Sequence, residues 1–177
     1  MESWRVPQSC FILLLLACSR PDAQLDRSSY EEGGEGFGPL RPGIEVLLED
    51  SLHLVEGRRV GLITNQTGVD ASGRSSIDRI HEHPGVDLVA LFAPEHGIRG
   101  TADPGETVED GVDLDTGVPI HSLYGAVRSP TPEMLDGIDV LLVDYQDIGA
   151  RYWTYVSTMT LAMEASAEQG VPVVILD

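Results

Sequence analysis

The apolar and polar positions of this chain alternate between two periods, and the alternation predicts its elements. Ile44, Leu47, Leu48, Leu52 and Val55 recur at helical spacing and end at Gly57, which predicts an amphipathic helix over residues 43–56. Arg59 to Thr64 (RVGLIT) is a short apolar, β-branched run, the pattern of a buried strand. Ser75 followed by Asp78 is a capping-box arrangement that opens a second helix, and Pro84 stops it. Val86 to Ala93 (VDLVALFA) is the second strand. Thr131-Pro132-Glu133 places a hydroxyl cap before a proline in the first turn, a helix start closed by Gly137. Ile138 to Tyr145 (IDVLLVDY) is the third strand. Trp153, Val156, Thr160, Met163 and Ala167 trace the face of a long helix ended by Gly170, and Val171 to Leu176 (VPVVIL) is a fourth strand.

Four apolar strands separated by helices imply right-handed crossovers and a parallel sheet covered on both faces. The predicted fold class is α/β, a Rossmann-like domain over residues 43–177. One connection departs from the pattern. Nearly forty residues between Ala93 and Thr131 show little helical periodicity and are rich in Gly, Asp and Pro. Connections of that length inside a domain are usually functional. A short hairpin around Val118 to Leu123 accounts for part of it.

The first residues follow a different rule. Arg5 and the α-amino group supply a weak positive start, and Cys10 to Ala17 form an apolar run of eight. That suffices for an export signal but falls far short of the roughly 20 residues a membrane-spanning helix needs. Leu15-Leu16-Ala17-Cys18 resembles a lipobox, so residues 1–18 are expected to be a signal peptide with Cys18 the lipidation site. The alternative is an ordinary secretory signal cleaved nearby. Residues 19–42, dominated by Ser, Asp, Gly, Glu and Pro, are expected to form a flexible linker. The expected location is the periplasm or outer membrane of a bacterium, with membrane contact only through the lipid on Cys18. The two cysteines cannot build a disulfide framework.

Charge narrows the chemistry. The sequence holds 29 acidic residues against 11 basic ones, a net charge of −18, and every basic residue is arginine. Without lysine there is no Schiff base and no P-loop. So negative a chain is also a poor match for nucleic acid. Glu31 to Gly38 (EEGGEGFG) superficially suggests a dinucleotide loop, but it neither follows a strand nor opens a helix. His81-Glu82-His83 reads as helix C-terminal dipole chemistry rather than as a metal site, and Glu106, Glu109, Asp110, Asp113 and Asp115 as a solvated acidic surface. Trp153 and Met163 read as core residues. No metal and no cofactor is expected.

In an open α/β sheet, ligands bind beyond the carboxyl ends of the strands. Asn65-Gln66-Thr67-Gly68 follows the first strand, Pro94-Glu95-His96-Gly97-Ile98-Arg99-Gly100 the second, Gln146-Asp147-Ile148-Gly149-Ala150-Arg151 the third and Asp177 the fourth. Carboxylates, amides, arginines and a histidine gathered on one rim are the inventory of carbohydrate chemistry. Each residue also has a plainer role. Asn65 can cap a turn, Glu95 can be a solvated loop residue, and His96 can donate to a backbone carbonyl. Asp147 can cap a helix, and Arg99 and Arg151 can pair with acids.

Together with Ser122-Leu123-Tyr124-Gly125, these segments resemble the exo-β-N-acetylmuramidase family of peptidoglycan recycling, formerly a domain of unknown function, from about Gly43 to Asp177. The resemblance implies a Rossmann-like N-terminal domain that packs on a smaller C-terminal domain, with the active site between them. It implies removal of terminal, non-reducing N-acetylmuramic acid from peptidoglycan fragments, so the expected partners are muramyl sugars. Glu95 is then the catalytic carboxyl group, and Asn65, His96, Arg99, Tyr124, Asp147 and Arg151 are substrate-binding candidates. Arg99 or Arg151 is suited to the lactyl carboxylate. Asp147, Asp177 and Glu106 are unranked candidates for a second carboxylate. Stereochemistry stays open, as does assistance by the 2-acetamido group. Members of the family continue beyond the fourth strand, so the chain is expected to be a truncated N-terminal part lacking the C-terminal domain. A non-catalytic, envelope-tethered sugar-binding module is the first alternative; a nucleotide-using enzyme is the second, disfavoured by the absence of a glycine-rich phosphate loop.

Overall fold

A computed structural model describes residues 40–176. The export signal with Cys18, most of the linker, and Asp177 lie outside the described residues. Helix α1 (Gly43–Asp50) buries Ile44, Leu47 and Leu48. It ends earlier than the periodicity predicts. At Ser51 the chain leaves helical geometry and tightens into a 3-10 turn, Leu52–Leu54, which delivers Val55 fully buried into the core. The remaining elements are β1 (Arg59–Thr64), α2 (Ser76–His81), β2 (Asp87–Ala93), β3 (Gly111–Val112), β4 (Pro119–Ser122), α3 (Pro132–Leu135), β5 (Val140–Asp144), α4 (Tyr155–Gln169) and β6 (Val173–Ile175). Ser75 caps α2 by accepting from the Ile77 N–H, and Thr131 caps α3 by accepting from the Met134 N–H.

The described strands form one six-stranded sheet in the order β3-β4-β2-β1-β5-β6. Every neighbouring pair is parallel except β3 with β4. The α/β, Rossmann-like class holds, while the expected all-parallel sheet is corrected to a mixed one. The long connection supplies both additional strands: the hairpin forms, and its second arm joins β2 as a fifth parallel strand. Two- and four-residue strands lie below the length at which alternation is legible.

Successive side chains of each strand feed opposite faces. Val60, Leu62, Leu91, Val140 and Leu142 pack with α1 and α2, whereas Ile63, Phe92, Leu141 and Val143 pack with α3 and α4. Helix α4 corrects a second expectation. Its inward face is Tyr155, Thr158, Ala162 and Ser166, while Val156 and Met163 are 49% and 42% exposed. Two stripes at helical spacing compete here. The stripe of Tyr155, Thr158, Ala162 and Ser166 packs inward, and the stripe of Val156 and Met163 faces outward. Met163 is therefore not core.

Candidate functional site at the carboxyl ends of the strands

Parallel register sets the position of the site. Thr64 at the end of β1 lies opposite Asp144 at the end of β5, and Ile63 lies opposite Phe92, one residue before the end of β2. The loops leaving these strands, together with the loop after β4, share one rim, at the switch point where the strand order reverses between β1 and β5.

The loops interlock through side chains. Asn65 is 1% exposed, and its Oδ1 accepts from both the Thr67 N–H (2.8 Å) and the Thr67 hydroxyl (2.6 Å). The same Thr67 oxygen accepts from the Gln146 N–H at 2.8 Å, tying the β1 loop to the β5 loop. Gln66 packs against Gly100, where a Cβ would lie 2.7 Å from the Gln66 Cδ and φ is +67°. A side chain there would have to push Gln66 aside and hold a strained left-handed backbone.

Glu95 is the centre of the rim. Its Oε1 accepts from the Tyr124 hydroxyl at 2.9 Å and its Oε2 from the Thr154 hydroxyl at 2.8 Å. Burial works against the charge, but these two donors, the Gly105 N–H and the neighbouring His96 outweigh it and hold the carboxyl below its ordinary pKa. The Tyr124 phenol is raised in return by its bond to Glu95. The Tyr155 hydroxyl reaches the Glu95 carbonyl at 3.5 Å. Burial raises that phenol, and the adjacent Asn65 amide opposes the shift. Asn65 Nδ2 itself is buried without a hydrogen bond.

The other candidates are placed less uniformly. His96 donates from Nδ1 to the Ala102 carbonyl at 3.0 Å and has φ +73°, a left-handed backbone unusual outside glycine. Its ring thus pins the loop that carries Glu95. Arg99 is bound by acids: Nε and Nη2 meet Asp113 at 2.9 Å each, with Asp78 at 3.4 Å and Asp115 at 3.2 Å. Its pKa is raised, first by the Asp113 bond. Asp147 accepts from the Gly149 N–H at 2.6 Å, a turn inside the loop rather than a helix cap, because α4 begins only at Tyr155. Arg151 is exposed and makes no salt bridge among the described residues.

The solvated acidic surface is corrected in part: Asp113 is 4% exposed against Arg99, and Asp110 accepts from the Ser122 N–H at 2.6 Å. In the His81-Glu82-His83 segment, His83 accepts from the Gly85 N–H and Glu82 pairs with Arg74. A cavity of about 480 Å³ lies at the opposite end of the sheet around Pro132, Gly137, Ile138 and Val171. A smaller cleft of about 210 Å³ adjoins the rim, with Asn65, Gly68 and Arg99 on its wall. Strand topology, not size, decides between them.

Thr154, Tyr155 and Asp144 are rim residues that the loop motifs do not single out. Asp144 carries a signal: it is an acid at the carboxyl end of an apolar strand run. Burial pushes its carboxyl up to about 6, and a single hydroxyl, from Ser76, opposes the shift.

Fold and rim define a Rossmann-like α/β domain built around a hydroxyl-held carboxylate. The model of the N-terminal region of the exo-β-N-acetylmuramidase NamZ matches residues 60–177, and the chain belongs to that family. The peptidoglycan β-N-acetylmuramidase NamZ of Bacillus subtilis (strain 168) is 49% identical over 138 residues, which cover 78% of this chain and 33% of that protein. A crystal structure of a DUF1343 family protein from Bacteroides fragilis NCTC 9343 superposes with a TM-score of 0.71 at 54% identity, over 77% of this chain and 34% of that one. A second DUF1343 protein of the same strain gives 0.63 at 31% identity, with the same coverage. The chain spans about a third of the length of these relatives.

Proposed function

We propose that the chain carries the catalytic carboxylate of an exo-acting glycoside hydrolase that releases terminal, non-reducing N-acetylmuramic acid from peptidoglycan fragments. The observation that carries the reading is Glu95, fixed on the rim by hydroxyls from two other loops (2.9 and 2.8 Å). Family membership and the name of the Bacillus subtilis relative support the substrate class. Glu95 is the catalytic carboxyl group. Arg151, exposed and unpaired among the described residues, is the better partner for the lactyl carboxylate, since Arg99 already meets three acids. An export signal with lipidation at Cys18 would place the protein where peptidoglycan fragments occur.

The test is turnover by the full-length protein of a chromogenic N-acetylmuramide beside the matching N-acetylglucosaminide. Glu95→Gln is expected to cost about 10³-fold in kcat, the scale of a positioned carboxyl group. Turnover unaffected by that change removes Glu95 from the chemistry. Binding of muramyl sugars with no turnover identifies a non-catalytic module instead.

A further inference from the structure

We propose that Tyr124 and Thr154 are positioning residues that keep Glu95 a carboxylate, so that Glu95 acts in its charged form and the proton for the leaving group comes from a different residue. The inference rests on the reading of Glu95 as the catalytic carboxyl group and deepens it.

The geometry favours the charged form. Each carboxyl oxygen already accepts one hydroxyl, Oε1 from Tyr124 at 2.9 Å and Oε2 from Thr154 at 2.8 Å. An ionised carboxylate only accepts, so both bonds are satisfied at once. A protonated carboxyl must place a hydrogen on one of those oxygens. One hydroxyl then faces a competing donor, or has to turn and accept.

The clamp is also independent of local chain geometry. Tyr124 follows β4 and Thr154 precedes α4, 29 and 59 residues from Glu95. Two long-range donors on opposite oxygens fix the carboxylate plane as well as its charge. The titratable groups that bear on Glu95 are His96 beside it, Tyr124 from the β4 loop and Tyr155 at the start of α4; Arg128 acts on Tyr124. The net direction is a carboxyl below its ordinary pKa, even though burial pulls the other way. A general acid needs the reverse, a carboxyl raised toward the working pH.

The experiment is a carbon-detected NMR titration of the Glu95 carboxyl in the whole chain, with Tyr124→Phe, Thr154→Val and Thr154→Ser as variants. The midpoint should lie below the ordinary glutamate value in the parent. It should rise in Tyr124→Phe and in Thr154→Val, rise further in the pair, and return toward the parent in Thr154→Ser. A parent midpoint at or above the ordinary value overturns the proposal. So does a midpoint that stays put in variants whose spectra remain native. If Tyr124→Phe fails to fold, the Val and Ser variants at 154 decide alone.

The pH profile of hydrolysis gives a second readout. A carboxylate that works charged shifts its acid limb to higher pH in Tyr124→Phe and Thr154→Val, with about a tenfold fall in kcat at pH 7 and KM nearly constant, and both return toward the parent in Thr154→Ser. A basic limb that moves up, with faster turnover above neutrality, is the signature of a proton donor and sinks the idea. If the titrations behave while the full-length protein cleaves no muramyl substrate, the clamp stands and the proposed function falls.

Discussion

Two carboxyl groups at the same sheet edge are driven in opposite directions. Glu95, after β2, is held below its ordinary pKa, whereas Asp144, at the end of β5, is pushed up to about 6. Burial opposes charge at both. Two things differ: Asp144 is the more deeply buried of the two, and it receives only the Ser76 hydroxyl where Glu95 receives two side-chain hydroxyls and a backbone N–H. The Thr64 hydroxyl beside Asp144 is spent on the Asp144 carbonyl at 2.6 Å, so it does nothing for the charge. Proximity to a rim therefore does not set a carboxyl's state; the depth of its burial and the donors aimed at its oxygens set it together.

The two sides are also anchored differently, and the anchors are where the comparison breaks most sharply. The loop carrying Glu95 is tied to the β3–β4 hairpin by Arg99, whose partner Asp113 is 4% exposed. Arg99→Ala leaves Asp113 with only the Thr116 N–H and hydroxyl. Stranding a nearly buried charge should cost about 3 kcal/mol of unfolding free energy in urea. A loss under about 1 kcal/mol would make Arg99 an ordinary surface pair. The Asp144 midpoint should not follow, because no Arg99 contact reaches β5.

The Asp144 side depends on close backbone approach instead. At Gly68 a Cβ would stand 2.7 Å from the Asp144 carbonyl oxygen, with the Thr64 hydroxyl nearer still. The obstacle is backbone and cannot swing aside. Gly68→Ala should therefore cost about 2 kcal/mol, the scale of overpacking in a tight site. It should leave the Glu95 titration where it was. A variant as stable as the parent would show that the β1 loop is slack enough to lift.

How much of this was legible follows the range of each interaction. Strands β1, β2 and β5 lie within two residues of their apolar runs because burial on both faces writes itself into consecutive residues. Asn65 and Glu95 were legible for the complementary reason: polar residues that follow such a run fall on the rim, whereas Tyr124, after the short β4, entered only through the family resemblance. Thr154 was not, since its partner lies 59 residues away and nothing local marks the pairing. The role of Arg99 was open between anion site and structural pair, and only the fold of the β3–β4 hairpin brings Asp113 to it. The inward face of α4 differs from the predicted one because both stripes have helical spacing, and spacing alone does not select between them.

The smallest effect is the most diagnostic. Asp144 binds its proton more tightly in the folded chain, near pH 6, than in the unfolded chain, near its ordinary 3.8. Between those values the folded state holds the extra proton, so this group's contribution is fully present below 3.8, falls as pH rises to about 6, and is flat above. Glu95 and Asp113, both lowered, slope the other way: their contribution is present above the unfolded pKa and lost on acidification. The parent's stability curve is a sum of opposed slopes, so the informative quantity is the difference from Asp144→Asn. That variant keeps an acceptor for Ser76 and removes the buried charge. Because the site retains some exposure, it should gain about 1 kcal/mol at pH 7. The gain should shrink steadily between pH 6 and pH 4. A constant offset across that window would mean that Asp144 does not titrate there, and the contrast between the two carboxyls would then rest on Glu95 alone.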